Sequence, residues 1–313
     1  MTTQSVLRAL YEYYWLRPEN ALWRARDFQV MEDIPFEPPI LDFGAGDGAV
    51  SFIRAGGRLA PHYDAFSETL DTSKFFFGAD VYDQFHGVSG DIVAKEADYK
   101  IDVAFDQKEN LLAKARKMNF YRKIVVGNGN EKLPFIDEEF RTIFSNIVYW
   151  LADPLKVMRE LARITMPGGK LVLFLPSNHL ADYSFYNRYY LGKGRPSSMK
   201  FLELLDMGRL ANNIKISRSA SGWEDIFGRC GLDVAARHNH ISGALVRLWD
   251  IGLRPFSPFM IQMANTLSRD ERAKIKRRWV DETHRLFEGF LKIQPDLERA
   301  EPATFFLFVL SKS

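Results

Sequence analysis

Ile40-Leu41-Asp42-Phe43-Gly44-Ala45-Gly46-Asp47-Gly48 is the stretch on which the fold turns. A short apolar run of strand length passes straight into alternating glycines, and Ala49 opens a helix. Glycines at such a junction let backbone amides come close to a ligand, and the start of a helix adds partial positive charge. The run also satisfies G-x-G-x-x-[G/A] with Ala49 last, so a dinucleotide is one reading. Two features turn away from it. Asp42 closes the strand, and a fixed carboxylate there suits a ligand with cationic groups better than a pyrophosphate. A dinucleotide fold also places an acid about 20 residues on, at the end of the second strand. Nothing around 62–72 reads as such a strand end, and the better candidate, Asp106, lies far downstream.

Outward from this unit the pattern alternates. Ile101 to Phe105, Ile124 to Val126 and Thr142 to Ser145 read as strands. Leu111, Leu112, Ala115 and Met118 make one helical stripe; Leu151, Leu155, Met158, Leu161 and Ala162 make another. Pro167-Gly168-Gly169 reads as a turn into the strand Lys170 to Leu175. Such β-α-β-α-β alternation implies a mostly parallel sheet covered on both faces. Before it, Leu7, Leu10, Tyr11, Tyr14 and Trp15 recur at helical spacing, ahead of the breakers Pro35, Pro38 and Pro39. After it come a helix at Trp223 to Cys230, a strand at Leu232 to Arg237, a largely helical stretch 243–292, and a last strand at Thr304 to Leu310.

Composition narrows the class. The 313 residues carry 42 Lys plus Arg against 40 Asp plus Glu, a net +2, which excludes a generally basic nucleic-acid coat. A hydrophobic share of 46% excludes a disordered chain. Cys230 is the single cysteine, so an intramolecular disulfide and a cysteine zinc site are both excluded. A reducing, cytoplasmic setting fits. The N-terminus lacks a signal-peptide pattern, no apolar run reaches the roughly 18 residues of a membrane span, and no metal-ligand cluster is visible.

Taken in order, these segments resemble the class I S-adenosylmethionine-dependent methyltransferases, in the methyltransferase domain 11, ubiquinone/menaquinone methyltransferase-like group. Ile40 to Gly48 is similar to the family's first motif. Asp106, followed by Asn110-Leu111-Leu112 and Ala115-Arg116, resembles its second-strand acid and next helix. Val126-Gly127-Asn128-Gly129-Asn130 with Leu133-Pro134-Phe135 resembles the segment around the adenine. Phe144-Ser145-Asn146, Asp153-Pro154 and Glu160-Leu161-Ala162-Arg163 resemble the fourth strand and its helix, and Pro167 to Pro176 the approach to the fifth strand and the strand itself. The likeness covers 40–176 well and 222–242 and 303–312 loosely.

The resemblance implies an α/β fold: a Rossmann-like seven-stranded class I methyltransferase sheet with helical additions. Residues 1–39 would be an N-terminal helical cap. Residues 40–313 would be the methyltransferase domain, with insertions at about 54–99, 178–221 and 243–300. It implies S-adenosyl-L-methionine as cofactor and S-adenosyl-L-homocysteine as product. Asp42 would organise the loop and the methionine end, with Phe43, Gly44, Ala45 and Gly46 beside it. Asp106 and Gln107 would meet the ribose, Asn128, Gly129 and Asn130 the adenine, and Asn146 would line the floor beside the methyl. The chain departs from the family in the long spacing from Asp42 to Asp106, within which Asp80 is an alternative ribose acid. Arg141 also stands where Asp is frequent, and Trp150 where His is frequent.

Simpler roles stand beside these. Asp42 and Asp106 would also serve as helix caps, the latter with Glu109 in a capping box, and Asn128 and Asn130 as turn residues. His179, after the fifth strand, is the candidate general base. Tyr183, Phe185, Tyr186, Tyr189 and Tyr190 read as one wall of an apolar acceptor pocket, with Tyr11, Tyr14 and Trp15 opposite. Segment 243–280 joins apolar residues to Arg272, Lys274, Lys276, Arg277 and Arg278. It is read either as a peripheral membrane contact or as a helical cap or homodimer face. The expected acceptor is a small or lipid-like molecule. Nucleic acid is disfavoured, since Ser145-Asn146-Ile147-Val148 lacks the Pro-Pro-aromatic segment of base-methylating enzymes. A nicotinamide oxidoreductase and a non-catalytic cofactor-binding or membrane-docking protein are the rival readings.

Overall fold

The computed structural model describes residues 3–67, 90–206, 209–252 and 256–313. Two helices open it, α1 (Thr3–Tyr13) and α2 (Pro18–Val30). Pro18 suits a first helical turn, where no backbone amide needs an intrahelical partner. The stripe Leu7, Leu10 and Tyr11 is fully buried. Then come β1 (Ile40–Phe43) and α3 (Ala49–Arg54). β2 (Arg58–Leu59) and β3 (Val93–Lys95) pair as a short antiparallel ribbon within the 54–99 segment. Asp80 lies outside the described residues.

The main α/β run follows: β4 (Ile101–Asp106), α4 (Glu109–Lys117), β5 (Tyr121–Val126), β6 (Phe140–Ser145), α5 (Pro154–Ile164) and β7 (Thr165–Pro176). Four short helices fill the 178–221 segment: α6 (Leu180–Tyr183), α7 (Phe185–Tyr189), α8 (Phe201–Asp206) and α9 (Arg209–Ile216). The rest is α10 (Ala220–Gly228), β8 (Leu232–His240), α11 (Gly243–Ile251), α12 (Ser257–Asn265), α13 (Arg269–Ala300) and β9 (Phe305–Lys312).

Seven strands form one sheet in the order β5-β4-β1-β6-β7-β9-β8. β5, β4, β1, β6 and β7 pair in parallel, and β9 runs antiparallel to both β7 and β8. The central strands are apolar on both faces because both are covered. Ile40 and Ala104 face a core with α1, α2, α3 and α4, and α11 and α13 join that core. Leu41, Phe43 and Phe105 face α5 and α10.

One sequence expectation is corrected here. Pro167-Gly168-Gly169 does not turn the chain into a strand; it lies within β7. Between the pairs Phe140–Thr165 and Thr142–Lys170, β7 advances five residues while β6 advances two. The excess bulges out around Gly168, whose φ of +66° favours glycine.

A second correction concerns the basic cluster of α13. Arg272 and Lys276 turn inward onto the buried carboxylate of Asp64. Arg272 Nη1 and Nη2 each donate at 2.9 Å and Lys276 Nζ at 3.0 Å. Lys274, Arg277 and Arg278 are exposed. Two of the five cations therefore bolt α13 to the loop after β2.

Candidate active site

Because β1, β4, β5 and β6 run parallel, the loops after all four emerge at one rim. The strand order reverses between β1 and β6, the place where open α/β sheets hold ligands. At this rim stand Gly44 to Gly46, Asp106 with Gln107, the 127–130 loop, and Asn146.

The glycine loop is shaped from beneath. Gly44 N and Ala45 N both donate to Phe105 O, at 2.7 and 3.1 Å, which ties the loop to β4. Gly44, Gly46 and Gly48 have φ of +82°, +57° and +72°. Their surroundings differ. A Cβ on Gly44 would lie 1.9 Å from Ile147 Cγ1, and one on Gly48 2.6 Å from Tyr121 Cε2. A Cβ on Gly46 would meet only Leu111 Cδ1, at 3.9 Å. Gly46 is thus the bare position of the loop.

Asp106 stands beside it. Its Oδ2 accepts from Gly46 N and its Oδ1 from Lys108 N, each at 2.9 Å. Lys108, not Asp106, occupies the cap position of α4, which corrects the capping-box reading. Each carboxylate oxygen keeps a further lone pair for a hydroxyl donor.

Asp42 turns away from the rim. Its Oδ2 accepts from Ser51 Oγ at 2.6 Å and Tyr121 OH at 2.7 Å. Burial raises its carboxyl above the ordinary value, and the two hydroxyls pull against that rise. Its place is under the loop, holding β1, α3 and β5 together, and it caps no helix. Alanine at 42 would strand two buried hydroxyls, so Asp42→Ala is expected to lower stability by about 2–4 kcal/mol in urea unfolding. Asp42→Asn keeps an acceptor and sheds the buried charge. The folded carboxyl binds its proton more tightly than the unfolded one. Its stability contribution is therefore full below the unfolded value of 3.8 and is lost as pH rises through the folded value. Asp42→Asn should remove that slope, and an unchanged slope would show that burial does not control this group.

The remaining predicted positions sort by exposure. Phe43 is core: it stacks on Phe105 with ring centroids 5.3 Å apart, so only its backbone is available to a ligand. Gly129 passes over that ring, where a Cβ would come within 2.9 Å of Phe43 Cζ. Asn128 accepts from the backbone and side-chain amides of Asn130, each at 3.0 Å. Asn130 Oδ1 accepts from Ala152 N at 2.8 Å. Both asparagines shape this turn and the one after β6. Gln107 is exposed and Asn146 half-buried at the rim. His179 faces outward, its Nδ1 3.2 Å from Asp182 Oδ2. Arg141 sits early in β6 beside Glu37, away from the rim.

Sequence reasoning missed three features. The Tyr13 hydroxyl bonds Asp47 of the glycine loop, so α1 is fixed beside that loop. His240, at the end of β8, bonds Asp27 at 2.7 Å, and Arg24 reaches the same carboxylate at 2.9 Å. Arg26 holds Glu298 of α13 through two bonds of 2.9 and 2.6 Å. The only sequence signal was a set of charged residues on a helix otherwise apolar enough to be buried. Two residues of one expected aromatic wall also lie elsewhere. Tyr11 packs on His284 and Phe287, and Trp15 lies under Arg272, so both belong to the α13 interface. The aromatics that meet beyond β6 are Trp23, Tyr149, Trp249 and Phe305.

Sheet order, the switch point and the glycine loop define a class I methyltransferase fold. Residues 87–173, which take in β3 to most of β7, match the family described as a methyltransferase domain. That match spans less than a third of the chain, and the glycine loop precedes it. No curated protein matches it. Among solved structures it is similar to the [4+2]-cyclase SpnF, with 11% identity, 94% of this chain and 80% of that one covered, and a TM-score of 0.47. It is also similar to an S-adenosylmethionine-dependent methyltransferase from Mesorhizobium loti, with 12% identity, coverages of 94% and 100%, and a TM-score of 0.45. A further likeness is to a possible histamine N-methyltransferase from Thermotoga maritima, with 14% identity, coverages of 72% and 81%, and a TM-score of 0.41.

Proposed function

We propose that this chain transfers a methyl group from S-adenosylmethionine to a small or lipid-like acceptor by in-line displacement. The observation that carries the reading is the bare Gly46, backed by Asp106 on the neighbouring strand end. That pair fits a nucleoside: backbone without side chains on one side, a carboxylate with spare lone pairs for two ribose hydroxyls on the other. When bound, the cofactor supplies an electrophilic methyl on a sulfonium, whose sulfur keeps the electrons of the broken bond. The protein's share is then to hold the acceptor in line and exclude water, and positioning of this kind supplies much of a rate. The half-buried rings of Trp23, Tyr149 and Trp249, packed around Phe305, are the apolar side chains proposed for that task. A hydroxyl acceptor also has to surrender a proton, and His179 beside Asp182 is the side chain assigned to it.

Calorimetric titration of the wild-type chain with S-adenosylmethionine, S-adenosylhomocysteine and NADH tests the reading. Binding of the first two and not the third is expected; NADH binding alone would restore the oxidoreductase alternative. Gly46→Ala separates ligand binding from folding. Its added methyl meets only Leu111 at ordinary contact distance, so only left-handed strain of about 1–2 kcal/mol is expected in stability. Affinity for S-adenosylhomocysteine should nevertheless fall more than tenfold. Gly44→Ala should instead destabilise by about 2–5 kcal/mol, because strain and the Ile147 overlap add. Equal binding by Gly46→Ala and wild type would remove the loop from the site.

A lipid surface is the second reading, favoured by exposed apolar side chains on and beside α12. Phe256, Phe259 and Met263 are 60%, 53% and 69% exposed, with Lys274, Arg277 and Arg278 exposed on the next helix. No helix among the described residues is long and apolar enough to cross a membrane, so the contact would be peripheral. Co-sedimentation with vesicles of phosphatidylcholine and phosphatidylserine should be lost in Phe256, Phe259, Met263→Ser. Retention in the variant would discard the reading.

A further inference from the structure

A cavity lies between α1, α2 and the last residue of α3. Its volume is about 230 Å³, and Val6, Phe28 and Met31 give it an apolar wall. That is below the roughly 300–1,000 Å³ of sites for drug-sized ligands, so its occupant is small. Arg54 and Tyr99 supply the polar wall, with Gln29 and Glu32 also lining it. Arg54 ends the six-residue helix that the glycine loop begins, about 8 Å along the axis at 1.5 Å per residue.

Arg54 differs from the other enclosed arginines. Arg24, Arg26, Arg163 and Arg272 each meet a carboxylate within 2.9 Å. Arg54 Nη1 donates to Tyr99 OH at 3.2 Å, and its guanidinium carbon lies 3.6 Å from the Phe36 ring centroid. Among the described residues no ion pair is formed by it. Burial lowers its proton affinity, with Tyr99 and Asp42 acting against that. Asp42 is itself committed to Ser51 and Tyr121. Among the described residues this half-buried cation has its fork of donors largely unused, and a planar carboxylate matches that fork.

We propose that this cavity binds a small carboxylate with an apolar body, the carboxylate on Arg54 and Tyr99 and the body against Val6, Phe28 and Met31. Glu32 is exposed at the same cavity and disfavours a second negative charge on the ligand. The site is independent of the acceptor and of the cofactor rim.

Benzoate is the probe, followed by ligand-observed NMR on the full chain, with benzylamine as the cationic counterpart of similar shape. Saturable benzoate binding is expected, weakened at least tenfold in Arg54→Gln, with no competition from benzylamine. Glu32→Gln, a surface change that leaves the fold intact, should tighten benzoate severalfold at low salt. The proposal is overturned by absent benzoate binding to the wild type, by equal binding to a folded Arg54→Gln, or by a preference for benzylamine. Should Arg54→Gln not fold, an unchanged affinity in Glu32→Gln overturns it alone.

Discussion

Asp106→Ala is expected to weaken S-adenosylhomocysteine binding by about two to four orders of magnitude, the equivalent of two charged hydrogen bonds of roughly 1.5–3 kcal/mol each. The carboxylate has two tasks on the proposed reading: it accepts from the ribose hydroxyls, and it already holds Gly46 N and Lys108 N. Alanine removes both. Asp106→Asn retains one acceptor oxygen and turns the other position into a donor that opposes a hydroxyl's hydrogen, so its loss should be intermediate. Calorimetry on the three proteins gives the ranking, and melting temperatures separate binding from folding. Affinity within tenfold of wild type in Asp106→Ala would transfer the ribose contact to Asp80.

Asp64→Ala should cost about 3–5 kcal/mol of stability, the usual cost of removing one partner from a buried ion pair. Two cations, Arg272 and Lys276, would lose their carboxylate at once. Removing all three charges is a different change. Asp64→Ala combined with Arg272→Met and Lys276→Met leaves no uncompensated buried charge, and should recover much of the loss. Urea denaturation of wild type, single and triple variants measures both. The pH dependence has a defined sign. Burial alone would raise the Asp64 carboxyl, but Lys276 and Arg272 outweigh it and hold it below its ordinary 3.8. The folded state therefore binds fewer protons at this group than the unfolded state. The contribution is present above pH 3.8 and is lost as pH falls through the depressed folded value. Asp64→Asn should flatten the wild-type decline below about pH 4. A variant with the same acid slope as wild type would assign that slope to other carboxylates.

The wild-type arrangement explains why a long C-terminal helix matters to a site made from the first half of the chain. α13 grips α2 through Glu298 and Arg26, and the loop after β2 through Asp64. α1 is bonded to the glycine loop through Tyr13 and Asp47. The helical cap is thus held at both ends.

The sequence by itself determined the strand–glycine–helix unit at 40–54, the alternation that makes the sheet parallel, and the presence of Asp106 at a strand end. Each is a matter of spacing within a few residues, where backbone geometry and hydrophobic period act directly. It also determined that 243–300 is helical. Only the tertiary structure decided which way the chemistry-bearing side chains face. Asp42 points under the loop because Tyr121, 79 residues on, donates to it from β5. Phe43 is core because Phe105 stacks on it from the adjacent strand. Two of five clustered cations are internal because Asp64 lies 208 residues away from Arg272 in sequence and in contact with it in space. Pro167-Gly168-Gly169 is a bulge and not a turn because β6 supplies partners on either side of it. Local periodicity fixes what an element is; which of its faces carries function depends on partners that only the folded chain brings together.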